Sequence, residues 1–146
     1  GCILGLTATG GAQISWHYLF NQLNKDDLKK YLIFLIWQEQ VVGFFPLLIR
    51  LSSLVAQNIT KTKSDAWTRY LPEEYKGSTD TVEPGLILST FGENRDRLGK
   101  LPKPLLNLLH SLRIVRNKLA HTEAIDCWEV NNLWEQYSTP RLQLID

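Results

Sequence analysis

The feature that most constrains the fold of this chain is a long apolar segment in its first third. Residues 31–49 read YLIFLIWQEQVVGFFPLLI, and Gln38, Glu39 and Gln40 interrupt the apolar residues. They leave apolar runs of seven and nine residues, whereas a membrane-spanning helix needs roughly 20. We therefore predict a buried central helix here and no segment that spans a membrane.

Helical signals continue on both sides of this segment. Residues 12–23 carry an apolar stripe at helical spacing, which predicts a first helix. Asn24 then predicts the N-cap of the central helix, over about 25–57. Gly43 and Pro46 should kink or break that helix, because neither residue favours a regular helix interior.

The second half of the chain alternates between loop and helix signals. Residues 58–85 are polar and contain prolines and glycines, so we predict a loop insertion that holds one short helix around 65–70. Asp126 and Glu129 form a capping-box pattern that predicts the start of the last helix. Apolar periodicity predicts three further helices, at about 86–98, 104–121 and 127–137.

These elements predict an all-α fold, an up-and-down bundle of four to five helices with a long kinked central helix. The 146 residues are enough for one domain, so we interpret residues 1–146 as a single helical domain. Because the chain begins at Gly1 and contains no methionine, we expect it to be excised from a larger protein.

Charge and cysteine content narrow the classes of function. The net charge of +1 gives no overall attraction to nucleic acid or membranes. Within residues 93–121, however, seven residues are basic and two are acidic, a pattern typical of an anion-binding site or a salt-bridged surface. The basic residues are Arg95, Arg97, Lys100, Lys103, Arg113, Arg116 and Lys118.

The two cysteines, Cys2 and Cys127, form neither a disulfide framework nor a metal-ligand spacing. We therefore expect a reducing, cytoplasmic location.

The predicted helix 104–121 has two faces of different character. At about 100° per residue, its apolar face consists of Leu105, Leu108, Leu109, Leu112, Val115 and Leu119. A polar stripe beside that face consists of His110, Arg113, Asn117 and His121. Arg116 falls only about 40° from Leu112, at the edge of the apolar arc. Because a buried guanidinium needs a partner, we predict an ion pair between Arg116 and Glu39 of the central helix.

Each of these polar residues has an ordinary explanation when it is considered alone. An arginine at a core edge usually extends its charged end to solvent, and a histidine at a helix end usually interacts with the helix dipole. The remaining histidine, His17, is interpreted as a surface or core-edge residue. The combination of Arg116, Asn117 and His121 on one helix is what suggests a functional site.

The sequence R-N-K-L-A-H, residues 116–121, resembles the R-x4-6-H signature of the HEPN superfamily. Members of this superfamily are small α-helical bundles found in prokaryotic defence systems, toxins and RNA-processing proteins. The aliphatic residues before Arg116 and the asparagine directly after it also match the family pattern. The order of elements is similar as well, because the motif lies near the end of a late helix that one closing helix follows.

The resemblance implies a metal-independent endoribonuclease that cleaves single-stranded RNA at a site shared by two copies of the chain. Arg116 would bind the scissile phosphate, Asn117 would orient groups by hydrogen bonding, and His121 would transfer protons. The 2′-OH would attack the adjacent phosphorus, leaving a 2′,3′-cyclic phosphate and a 5′-OH. Substrate binding is assigned to His110, Arg113 and Lys118.

The chemistry of these residue types is compatible with that function. Histidine exchanges protons near neutral pH, and a guanidinium stabilises a crowded phosphorane. The sequence contains no evident carboxylate cluster for Mg²⁺, so we expect no cofactor. Arg116 and His121 lie about 140° apart on a continuous helix, so a two-fold partner would help to complete the site. The expected partners are RNA, a second copy of the chain, and further domains of a parent protein or a cognate antitoxin.

Two other functions stay open at this point. One is a non-catalytic HEPN-like dimerisation or adaptor domain of a larger protein. The other is an unrelated helical interaction domain. Either Trp128 or Trp134 would suit a dimer surface, and the sequence does not distinguish between them.

Overall fold

The computed structural model describes residues 24–76 and 79–138, and these residues form α-helices and short 3₁₀ helices with no β-strand among them. The prediction of an all-α fold is confirmed. The predicted first helix at 12–23, together with His17, lies outside the described residues.

The helices largely follow the predicted order, with several changes of boundary. In chain order they are α1 (Lys25–Lys63), 3₁₀ helices at Asp65–Tyr70 and Glu73–Tyr75, α2 (Pro84–Glu93), α3 (Arg95–Leu98), α4 (Lys103–Ala120) and α5 (Cys127–Ser138). The predicted break at Gly43 or Pro46 is wrong, since α1 continues through both. Pro46 removes the hydrogen bond to the carbonyl of Val42, a residue that is 74% exposed, so solvent can replace the missing donor.

The predicted loop insertion at 58–85 is shorter than expected, because its first six residues belong to α1. The predicted short helix is confirmed as the 3₁₀ helix Asp65–Tyr70, where the Ala66 N–H donates to the side chain of Ser64. The predicted helix 86–98 divides at Asn94 into α2 and α3.

The chain divides into two compact units, residues 1–33 and residues 34–146. In the first unit the structure describes Asn24 and the first turns of α1. The side chain of Asn24 accepts a hydrogen bond from the Asp26 N–H, so the predicted N-cap is confirmed.

In the second unit, α4 is the helix at the centre of the core. It packs against both α2 and α5. All six residues of its predicted apolar face are buried: Leu105, Leu108, Leu109, Leu112, Val115 and Leu119. The end of α1 contributes Val55, Ala56 and Ile59 to the same core. The 3.6-residue period of apolar positions in α4 therefore predicted its burial correctly.

The prediction that residues 31–49 form the most buried element is wrong. In the second unit, Ile36, Val42 and Leu47 are each at least half exposed, while Leu48 is 2% exposed. The segment is apolar on nearly all sides, but its partners in the described part of the chain cover one side only. By length and composition, α1 is also a helix that could cross a membrane, which is weak evidence because core helices and signal sequences meet the same criterion.

The start of α5 has the predicted capping box. The Asp126 N–H donates to Glu129 Oε2 at 3.0 Å, and the Glu129 N–H donates to Asp126 Oδ1 at 2.8 Å. Leu133 packs into the core. Trp134 does not, because it is 66% exposed, and Trp128 is 70% exposed.

Candidate functional site

Arg116 lies at the edge of the core, as its position on α4 predicts. Its side chain keeps 33% of its surface accessible, and it forms an ion pair with Glu83 through Nη2 and Oε1. Both residues line a cavity of about 180 Å³ whose walls include Phe45 and Leu48 of α1. The guanidinium is therefore neutralised by a carboxylate but still reaches solvent.

The acidic partner of Arg116 is thus Glu83, and the prediction of Glu39 is wrong. Glu83 immediately precedes α2 and occupies its N-cap position. The packing of α2 against α4 brings this carboxylate to Arg116. Glu39 is exposed on α1 instead, beside a surface depression that Leu35, Ile36 and Phe44 also line.

Asn117 and His121 occupy the end of α4. The Arg116 guanidinium donates a long hydrogen bond of 3.5 Å to the Asn117 side-chain oxygen. His121 is the C-cap of the helix, its N–H bonds the carbonyl of Asn117, and the residue as a whole is exposed. His121 is therefore a surface residue and does not belong to the core.

The turn after His121 closes α4 in a strained conformation. Thr122 has φ of 62°, in the left-handed region, and the Glu123 N–H donates to the Lys118 carbonyl at 2.9 Å. This hydrogen bond is the one that defines a Schellman cap, which usually places glycine where Thr122 stands. A β-branched residue at positive φ is costly, and such strain often accompanies functional sites.

Two side chains of α1 hold this end of α4 in place. The Trp37 indole N–H donates to the carbonyl of Leu119 at 2.7 Å. The Gln40 side chain donates to the Ile125 carbonyl at 2.7 Å and accepts from the Ile125 N–H at 2.8 Å. We call these three hydrogen bonds the α1 clamp. It fixes the backbone on both sides of His121, so Trp37 and Gln40 are positioning residues for that histidine.

Lys118 has a partner within the chain. Its Nζ lies 2.6 Å from Glu129 Oε1, and the Glu129 side chain is 9% exposed. The hydrogen bond to Glu129 raises the pKa of the Lys118 ammonium above its usual value. The pair therefore links α4 to α5, and the predicted role of Lys118 in substrate binding would require that link to break.

His110 and Arg113 line a different cavity from the one that Arg116 lines. Both line an open groove of about 860 Å³ between α2 and α4, whereas Arg116 lines the smaller cavity beside Glu83. The predicted site residues are thus divided among the groove, the Glu83 cavity and the exposed helix end. Over residues 24–76 and 79–138, no three His, Cys, Asp or Glu side chains are grouped so that they could hold a metal ion.

Comparisons with known proteins give no relative for this chain. No protein-family model, no curated protein and no solved structure matches the sequence.

Sequence reasoning missed three residues that shape the site. Gln40 was visible as a polar residue within an apolar helix, and such a residue usually has a buried polar partner. Glu83 was visible as an acidic residue directly before a proline that starts a helix, where the helix dipole favours a carboxylate. Trp37 carried no signal that separated it from an ordinary core aromatic.

The α1 clamp leads to a stability prediction. Gln40→Leu should leave the N–H and carbonyl of Ile125 without partners and lower the free energy of unfolding by about 1–3 kcal/mol. Gln38→Leu, at an exposed position two residues earlier, is the matched control and should change stability little. Urea denaturation of both variants measures the difference, and equal effects would show that the clamp does not stabilise the fold.

Proposed function

We propose that this chain is a HEPN-like endoribonuclease domain that acts as a two-fold dimer of helical bundles in the cytoplasm. The observation that carries the proposal is the accessibility of the motif. Arg116 reaches solvent at the core edge, and His121 is exposed one turn further along at the clamped end of α4. This accessibility leaves both side chains available to a substrate.

The dimer is supported by exposed apolar surface. Ile36 and Val42 on α1 are 52% and 74% exposed, and both are within two residues of the clamp residues Trp37 and Gln40. Exposed apolar surface of this kind commonly marks a protein–protein interface. We propose that a dimer formed through this part of α1 has two α4 ends, and therefore two sets of Arg116 and His121, at one shared cleft.

A shared cleft would also satisfy the requirements of the reaction. The 2′-oxygen bonds to phosphorus as its proton leaves, and the bond from phosphorus to the 5′-oxygen breaks as that oxygen gains a proton. Two imidazoles, one from each copy, can take and deliver these protons. Arg116 would stabilise the charge on the phosphorane, with Asn117 orienting it.

The proposal predicts RNA cleavage that persists in EDTA and depends on the motif. Arg116→Ala should reduce cleavage of single-stranded RNA by about 10²–10³-fold, and His121→Ala by about 10²–10⁴-fold. Products should carry a 2′,3′-cyclic phosphate, which mass spectrometry detects. Arg69→Ala, at an exposed arginine of the first 3₁₀ helix, is the control and should cleave normally. Unaltered cleavage by Arg116→Ala would contradict the proposal.

A second function, a non-catalytic HEPN-like adaptor, is favoured by one specific observation. The ion pair with Glu83 occupies the guanidinium that the nuclease needs for phosphate. In an adaptor, this pair would simply join α2 to α4. In a nuclease, Glu83 would have to be displaced by RNA, which makes it a competitor of the substrate.

Glu83→Gln distinguishes these two functions. Because both side chains are partly exposed, losing the ion pair should cost no more than about 1 kcal/mol of stability. A nuclease should then bind RNA more tightly, with a lower KM, because Arg116 is released. An adaptor should show no RNA cleavage in either form. A raised KM in the variant would contradict the role of Glu83 as a competitor.

A further inference from the structure

The groove between α2 and α4 has an unusual distribution of charge. Four cations line it, and His110 lies beside them. No carboxylate is among the described residues that line it. The four cations are Arg95, Lys100, Lys103 and Arg113.

These cations also differ from those of the motif in their pairing. Arg116 is paired with Glu83, and Lys118 with Glu129. By contrast, none of the four groove cations forms an ion pair with any carboxylate of the described residues. Unpaired charges of one sign around a concave surface produce a strong local potential. In a chain of net charge +1, that potential is local to the groove.

Contacts within the chain hold two parts of the groove in place. Lys63 of α1 donates hydrogen bonds to the carbonyls of Leu98 and Lys100, at 3.3 and 3.2 Å, and so holds the turn that carries Lys100. Gly99 in that turn has φ of 70°, which favours glycine. The aliphatic part of the Arg113 side chain lies against Gly85, where a Cβ would be 3.7 Å from Arg113 Cδ.

The floor of the groove is apolar. Leu88 and Leu106 are partly accessible, and they line the groove with Phe91 and Leu101. A nucleic acid strand presents phosphates to cations and less polar sugar and base surfaces to such a floor. Because the four cations come from α3, from the following turn and from α4, they suit several phosphates along a chain better than a single anion.

From this charge and shape we infer that the groove between α2 and α4 binds the phosphate backbone of single-stranded RNA. The inference rests on the proposed function and extends it, since it names the surface that holds the strand outside the cleavage site. Arg113 and Arg116 are three residues apart on α4, so they are neighbours on the helix surface. A strand in the groove therefore lies beside Arg116, the first residue of the motif.

The test uses the full chain with His121→Ala, so that the RNA stays intact, and measures fluorescence anisotropy of a labelled oligouridylate. Lys103→Glu and Arg95→Glu should each weaken binding about tenfold or more. Arg97→Glu is the matched control, because Arg97 is an exposed cation of α3 that does not line the groove. Removing one groove cation should also reduce the slope of log K against the logarithm of the salt concentration by about 0.7, where K is the binding constant for RNA.

A second variant blocks the groove without changing its charge. A Cβ at Gly92 would meet nothing within 4 Å, and Gly92 lines the groove. Gly92→Leu should therefore fold at least as well as the parent protein, since leucine favours helix more than glycine does. It should nevertheless bind RNA more weakly. Normal binding by this variant would overturn the inference, as would equal weakening by Arg97→Glu and Lys103→Glu.

The remaining outcomes separate the groove from the proposed function. In a competition experiment, unlabelled uridine monophosphate and unlabelled oligouridylate are compared at equal phosphate concentration. If both displace the labelled RNA equally well, the groove binds single phosphates and does not bind a strand. If the parent chain cleaves RNA while groove variants bind it normally, the groove inference fails and the nuclease stands. If the groove binds RNA but the parent chain never cleaves it, the inference stands and the proposed nuclease fails.

Discussion

The α1 clamp is the interaction on which the arrangement of the site depends. The end of a helix leaves its last carbonyl groups without partners within the helix. Here Trp37 satisfies the carbonyl of Leu119, and Gln40 pairs with both backbone groups of Ile125. His121 lies between these two fixed points, so the surface position of its imidazole is set by residues about 80 positions earlier in the chain.

The cations of α4 differ in whether they form ion pairs. On the side of α2, Arg116 is neutralised by Glu83, and toward α5, Lys118 is neutralised by Glu129. Further back, Arg113 and His110 line a groove whose cations are unpaired within the described part of the chain. Among the described residues, α4 thus has paired cations at Arg116 and Lys118 and unpaired cations where it lines the groove. From this contrast we infer that the groove is a binding surface, whereas the pairs of Arg116 and Lys118 are ordinary salt bridges between helices.

The sequence predicted those features that local rules control. The burial of Leu108 and Leu112 follows from helical period, and the capping box at Asp126 follows from residue types three positions apart. The burial of residues 31–49 was predicted wrongly, because burial depends on how many sides of a helix find partners. Periodicity describes one helix and contains no such information.

The site was predicted only in part, because the partners of its residues depend on how the helices pack. A guanidinium at a core edge needs a carboxylate, and the structure provides one. Choosing between Glu39 and Glu83 required the packing of α2 on α4, which no local pattern encodes. Gln40 was recognisable as an anomaly in α1, but its bond to Ile125 joins residues far apart in the chain.

We propose that two copies of the α4 end meet to form one site. Ala120 is exposed at the last position of α4, directly before His121. Ala120→Cys, in a chain that also carries Cys2→Ser and Cys127→Ser, should form a disulfide-linked dimer on mild oxidation. In the same background, Asn107→Cys, at an exposed position near the start of α4, should remain monomeric. A monomer with cysteine at 120, under conditions in which the protein cleaves RNA, would contradict the account.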